Sequence, residues 1–145
     1  MPIQAVDTSQ VWDYVCQRER DAQEPNPTVW KLGVLDGRIM KHIKDAATAV
    51  EETAGTESGA QTTVKLGSLL WLLVKYGLRG WSNFLDHRGQ PIAESFETIP
   101  HGKQSYPAVP DHVLGLLPPD VLSELANEIA SHNSLKEIEK RPFGS

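Results

Sequence analysis

The clearest period in the chain lies at residues 29–34, where Trp30, Leu32 and Val34 alternate with polar or small neighbours. That spacing of two predicts a half-buried strand. Asp36 follows as a helix N-cap, and Ile39, Met40, Ile43, Ala47 and Val50 then recur at helical spacing opposite Arg38, Lys41, Lys44 and Asp45. An amphipathic helix over 37–50 is expected. A second helix, opened by Ser68, runs through Leu69, Leu70, Trp71, Leu72, Leu73, Val74, Tyr76 and Leu78. It is apolar nearly all round, which marks it as the central core element. Gly77 and Gly80 loosen its end, and Trp81 and Phe84 are read as one further turn.

Weaker periods complete the chain. Asp7, Thr8 and Ser9 offer caps for a short N-terminal helix carrying Val11, Trp12 and Val15. The polar QRERDAQEPNP that follows, with Pro25 and Pro27, reads as a loop. Residues 51–62, EETAGTESGAQT, contain no large apolar group and are read as a flexible polar insert. Thr63 to Leu66 are read as a short strand. Asp86-His87-Arg88-Gly89 is a turn, with Gly89 suited to positive φ. Alternation over 92–99 predicts a strand, His101-Gly102-Lys103-Gln104 a second turn, and residues 106–109 a returning arm. Asp111 starts a short helix, and Pro118-Pro119-Asp120 starts another with Val121, Leu122, Leu125 and Ile129 as its buried stripe. Ser134-Leu135-Lys136-Glu137 has the form of a capping box, and residues 141–145 form a loose tail. The sum is one α+β domain over 1–145, with a helical core, a small antiparallel sheet or hairpin, and C-terminal helices.

Composition narrows the function classes. A chain of 145 residues matches one domain. Its formal net charge is −5, whereas electrostatic binding to nucleic acid or to an anionic membrane favours a basic surface. The longest apolar run, residues 69–74, is six residues, far short of the roughly 20 that span a bilayer. The N-terminus has neither the basic nor the apolar stretch of a secretory signal. A single cysteine, Cys16, leaves neither a disulfide framework nor a zinc-ligand set. It reads as a buried structural residue rather than a reactive thiol.

Catalytic chemistry finds little support in local motifs. The five histidines, His42, His87, His101, His112 and His132, lie outside any Gly-x-Ser-x-Gly elbow, His-Glu-x-x-His helix or deaminase signature. They are read as surface or turn residues. Glu51 with Glu52, and Glu94 with Glu97, read as solvated charges. No catalytic residue, cofactor or metal is assigned. Four tryptophans are read first as core and second as anchors for a partner. Trp12, Phe84 near the turn and Phe143 in the tail are taken as the exposed aromatics of a partner contact.

Three stretches carry a family resemblance. TVWKLGVLDGRIMKHIKDA (28–46) matches a strand, Leu-x-x-Leu-Asp, helix opening. VKYGLRGWSNFLDHRGQPI (74–92) is close to a Gly-Leu-x-Gly-Trp-x-Asn-Phe-x-Asp-x-x-Gly core. LLPPDVLSELANEIASHNSLKEIEKR (116–141) is like a Pro-x-x-Val-x-x-Glu-Leu-Ala-x-x-Ile ending. Over about half its length the chain thus resembles small proteins encoded in the structural-gene modules of tailed bacteriophages. The resemblance implies a non-enzymatic virion component of head, neck or tail, made in the bacterial host cytoplasm and held in an oligomer or larger assembly by other phage structural proteins. It also implies, as the alternative, a transient tail assembly chaperone absent from the mature particle.

Overall fold

A computed structural model describes residues 2–3, 9–53 and 58–133. Among them are five helices and two antiparallel sheets, so the expected α+β class holds. The order is β1 (Val11–Tyr14), α1 (Gln17–Asp21), β2 (Val29–Gly33), α2 (Gly37–Thr53), α3 (Ser58–Gly77), β3 (Leu78–Ser82), β4 (Glu97–His101), β5 (Gln104–Ala108), α4 (Asp111–Leu114) and α5 (Pro119–Ser131).

The strand and amphipathic helix read from 29–50 are present. Trp30 and Leu32 point into the core from β2, and Asp36 Oδ1 caps α2 by accepting the Ile39 N–H at 2.9 Å. Ile39, Met40 and Ile43 form the buried stripe of α2. β2 is the middle strand of the order β1-β2-β3. The hairpin β4–β5 turns at Gly102, whose φ of 63° suits a residue without Cβ. Gly89 has φ 81° in the other expected turn. α5 starts with proline in its first turn and buries Val121, Leu125, Ala126 and Ile129. Packing joins α2 and α5 to α3, so α3 is the central element.

Four expectations are corrected. Val11–Tyr14 is a strand, because β2 offers a pairing partner for its β-branched and aromatic residues and the alternation places Trp12 and Tyr14 inward. The QRERD segment is the short helix α1 rather than loop. The strand read at 63–66 is helix, since α3 begins at Ser58 and α2 runs to Thr53; of the insert read at 51–62, only 54–57 lies outside the described residues. The turn of helix expected through Trp81 and Phe84 is instead strand β3 followed by a corner. Gly77 ends α3, and Trp81 pairs across β2 with Trp30. A further boundary moves: the strand read over 92–99 begins only at Glu97. The capping box at Ser134 and the 141–145 tail lie outside the described residues.

Candidate functional site

Two places collect chemistry. The first is a pocket of about 420 Å³ beneath the β4–β5 hairpin, between the start of α2 and the α3–β3 junction. Asp36, Tyr76, Arg79, Gln104, Ser105 and Tyr106 supply its polar lining, and Val34, Leu35, Ile39 and Pro107 its apolar walls. The Tyr106 hydroxyl lies 3.3 Å from Asp36 Oδ2 and donates to Gln104 Oε1 at 2.8 Å. Arg79 crosses the floor: its guanidinium donates to the Val34 and Tyr76 carbonyls at 2.8 and 3.3 Å. Burial pulls the Arg79 pKa below its ordinary value, against the pull of Asp36. The close approach of that side chain is why residue 33 is glycine, since a Cβ there would sit 2.7 Å from Arg79 Cγ.

An aromatic cluster at the hairpin tip adjoins the pocket through Tyr76 and Tyr106. The His42 and His101 rings lie 4.1 Å apart, and the Tyr76 hydroxyl is 3.1 Å from His101 Nε2. Tyr106 flanks His101 at 5.6 Å. Burial, then the neighbouring His101, pushes the His42 pKa below the ordinary imidazole value, with Asp45 acting the other way. The reading of His42 and His101 as surface or turn residues is therefore corrected: both are half-buried and in ring contact. They are 59 residues apart in the chain, and no local spacing could have linked them.

At the hairpin base, Lys75 is buried, with only 7% of its surface exposed. Its ammonium donates to Glu97 Oε1, Asp111 Oδ1 and the Val109 carbonyl at 3.0, 3.0 and 2.9 Å. The Trp71 indole N–H adds a bond to Asp111 at 3.1 Å. Burial works against the charged ammonium, but the carboxylates of Asp111 and Glu97 outweigh it and hold the Lys75 pKa above the ordinary value. Glu97 is a surface charge as expected, its side chain 46% exposed, and also the ion-pair partner of Lys75. The signal was legible, since Lys75 is a lone charge inside an apolar run and such a group is buried only when paired.

The second place is a groove of about 450 Å³ between α1, the β3 corner and the start of α5. Cys16, Trp30, Phe84 and Val121 line it from the core, while Leu85 and Leu116 stand on its lips with 47% and 54% of their surface exposed. Arg18, Glu19, Glu24, Asn26 and Asn83 make a polar rim. Glu19 accepts the Thr28 N–H at 3.1 Å, and Thr28 in turn donates its hydroxyl to the Asn83 carbonyl at 2.8 Å. Tyr14 and the Gln17 N–H both donate to Glu124, at 2.6 and 2.8 Å, which fixes β1 and α1 against α5. The Cys16 thiol is buried and, mainly for that reason, pushed up to about 11. It is a packing residue under neutral conditions.

Neither Trp12 nor Phe84, expected as exposed aromatics of a partner contact, is exposed. Phe84 is a correction: it is buried, packed at 4.9 Å from Trp30 and 6.2 Å from Trp81, because the Asp86–Gly89 turn folds Ile92 back onto its carbonyl. Trp12 is half-buried and stacked at 4.1 Å on His132. Phe143 lies outside the described residues. Exposed apolar surface near the turn belongs to Leu85 instead, the next residue, and to Leu116. Among the described residues no group of three His, Cys, Asp or Glu side chains is placed to hold a metal ion. No helix among them is long and apolar enough to cross a membrane. Comparison with protein-family models, curated proteins and solved structures finds no match to this chain.

Proposed function

We propose that this chain is a non-enzymatic structural protein of a tailed bacteriophage, a small virion component that works through contacts with other proteins. The observation that carries this reading is the groove flanked by Leu85 and Leu116: an apolar floor, uncovered apolar lips and a polar rim, the anatomy of a protein contact surface. The family resemblance of residues 74–92 supports it, because that stretch builds the β3 corner from which Phe84 and Leu85 enter the groove. The polar atoms of the hairpin pocket are largely engaged with one another, in the pairs Tyr76–His101 and Tyr106–Asp36. That arrangement fits a clasp between elements better than a nucleophile and base aimed at a substrate.

Quantitative mass spectrometry of gradient-purified particles from the source phage tests the reading. A fixed copy number relative to the major capsid protein is the expected result. Absence from particles, with the chain present in infected-cell lysate, overturns it in favour of a transient assembly chaperone that uses the same groove.

A further inference from the structure

We infer that the β4–β5 hairpin is a pH-sensitive flap, hinged at its base by the ion pairs of Lys75 and clasped at its tip by the tilted ring contact of His42 and His101, so that protonation of both rings frees the tip and widens the pocket beneath.

The hairpin has attachments of different chemistry at its base and its tip, with the Tyr106 hydroxyl, 3.3 Å from Asp36 Oδ2, as a further contact between them. At the base, Lys75 holds Glu97 of β4 at 3.0 Å, and the Val109 N–H just past β5 donates to the Lys75 carbonyl at 2.9 Å. Ala108 and Val109 are buried there. Asp111, whose carboxyl is held below the ordinary range chiefly by its bond from Lys75, completes the node. The Lys75 ammonium and the Asp111 carboxylate therefore keep their charges across the range in which histidine titrates. The base does not respond to mild acid.

At the tip, His101 ends β4 immediately before Gly102, and its ring meets His42 of α2 at 4.1 Å with an interplanar angle of 56°. The groups around this pair decide its response. From α3, the Tyr76 ring meets His42 edge-on at 5.7 Å, and its hydroxyl bonds His101 Nε2. From β5, Tyr106 packs on His101, its hydroxyl turned to Asp36 and Gln104. From α2 itself, Asp45 is the anion that acts on His42, but Lys41 holds that carboxylate at 2.7 Å. Beyond Tyr76 lie Lys75, Glu97 and Asp111, already bound to one another, and Arg79 beside Asp36. Lys103 adds a cation in the hairpin turn. Among the described residues no carboxylate bonds either imidazole.

One proton on the pair is tolerated, because a protonated His101 can still donate to the Tyr76 oxygen. Two protons place like charges 4.1 Å apart, centroid to centroid, with no anion between them, so the second is resisted and the titrations couple. Release of the tip swings out Gln104, Ser105 and Tyr106, three of the polar groups that line the pocket.

The test uses the full chain. Imidazole proton shifts are followed from about pH 7.5 to about pH 5, a range that straddles the ordinary histidine value. Amide exchange, corrected for intrinsic rates, is measured at both ends. The pair should titrate in two coupled steps, with His42 below the ordinary value of about 6.5. Protection of amides between Ile99 and Tyr106 should fall about tenfold or more, while β2 amides hold theirs. His42→Gln should remove that pH response, and the exposed His87→Gln should keep it. Independent titration of the two rings with unchanged hairpin protection overturns the inference, as does a response that survives in His42→Gln or disappears in His87→Gln. Should His42→Gln fail to fold, the wild-type titration and exchange decide alone.

Discussion

Two positions on α3 show how single residues set the packing. Gly77 is the last residue of the helix, and a Cβ built there would lie 2.7 Å from Ile129 Cδ1 and 2.9 Å from Ile129 Cγ2 on α5. Both are far inside van der Waals contact, and Ile129 is fully buried with nowhere to turn. Gly77→Ala gains helix propensity but pushes α5 away, so a net loss of about 1–2 kcal/mol is expected in urea unfolding. Lys75 presents the opposite case, a charge that the core tolerates because it is bonded three ways. Lys75→Met strands the buried Val109 carbonyl but leaves Glu97 and Asp111 near water, so the expected cost is about 1–3 kcal/mol, less than for a fully buried pair. The pH dependence of this node follows from its shifts. The raised Lys75 pKa contributes stability that is complete below the ordinary lysine value and is lost as pH rises through the folded value. The lowered Asp111 pKa contributes stability present above the ordinary carboxylate value and lost as pH falls through the folded one. Denaturation midpoints of wild type should fall at both extremes, and Lys75→Met should flatten both limbs.

Elements impose the next constraint. α1 has only five residues and no side-chain cap, yet it is held by Glu124 of α5 through the Gln17 N–H and the neighbouring Tyr14 hydroxyl. Burial and the Glu124 bond push the Tyr14 pKa up to about 12. Short elements of this kind are stable through tertiary bonds rather than through propensity. The start of α5 and the β3 corner bring Leu116 and Leu85, far apart in sequence, to the two lips of one groove. Leu85→Ser and Leu116→Ser each leave half-exposed positions more polar and should cost about 1 kcal/mol or less. Combined, they should reduce incorporation of the chain into particles while its thermal unfolding stays cooperative. Normal incorporation of the folded double variant would separate the groove from assembly.

For the whole molecule, the sequence by itself determined the class of fold and its most regular parts. Period two at Trp30 and Leu32, period 3.6 at Ile39, Met40 and Ile43, and the proline start of α5 were legible because each depends on neighbours a few residues away. The turns at Gly89 and Gly102 were legible for the same reason, since a positive φ demands a particular residue at a particular place. Val11 and Trp12 are strand rather than the helix their sequence suggests, because four residues of alternating pattern suit either period until β2 supplies a strand to pair with. Phe84 was misplaced because a single phenylalanine beside a polar turn carries no sign of whether that turn folds back over it; Ile92 and Trp30 decided that. The His42–His101 contact, the Lys75 node and the Leu85–Leu116 groove join residues separated by dozens of positions. No period or motif encodes such neighbours; only the packing of α2, α5 and the hairpin around α3 creates them, because burial and charge pairing are settled by what lies across the core rather than along the chain.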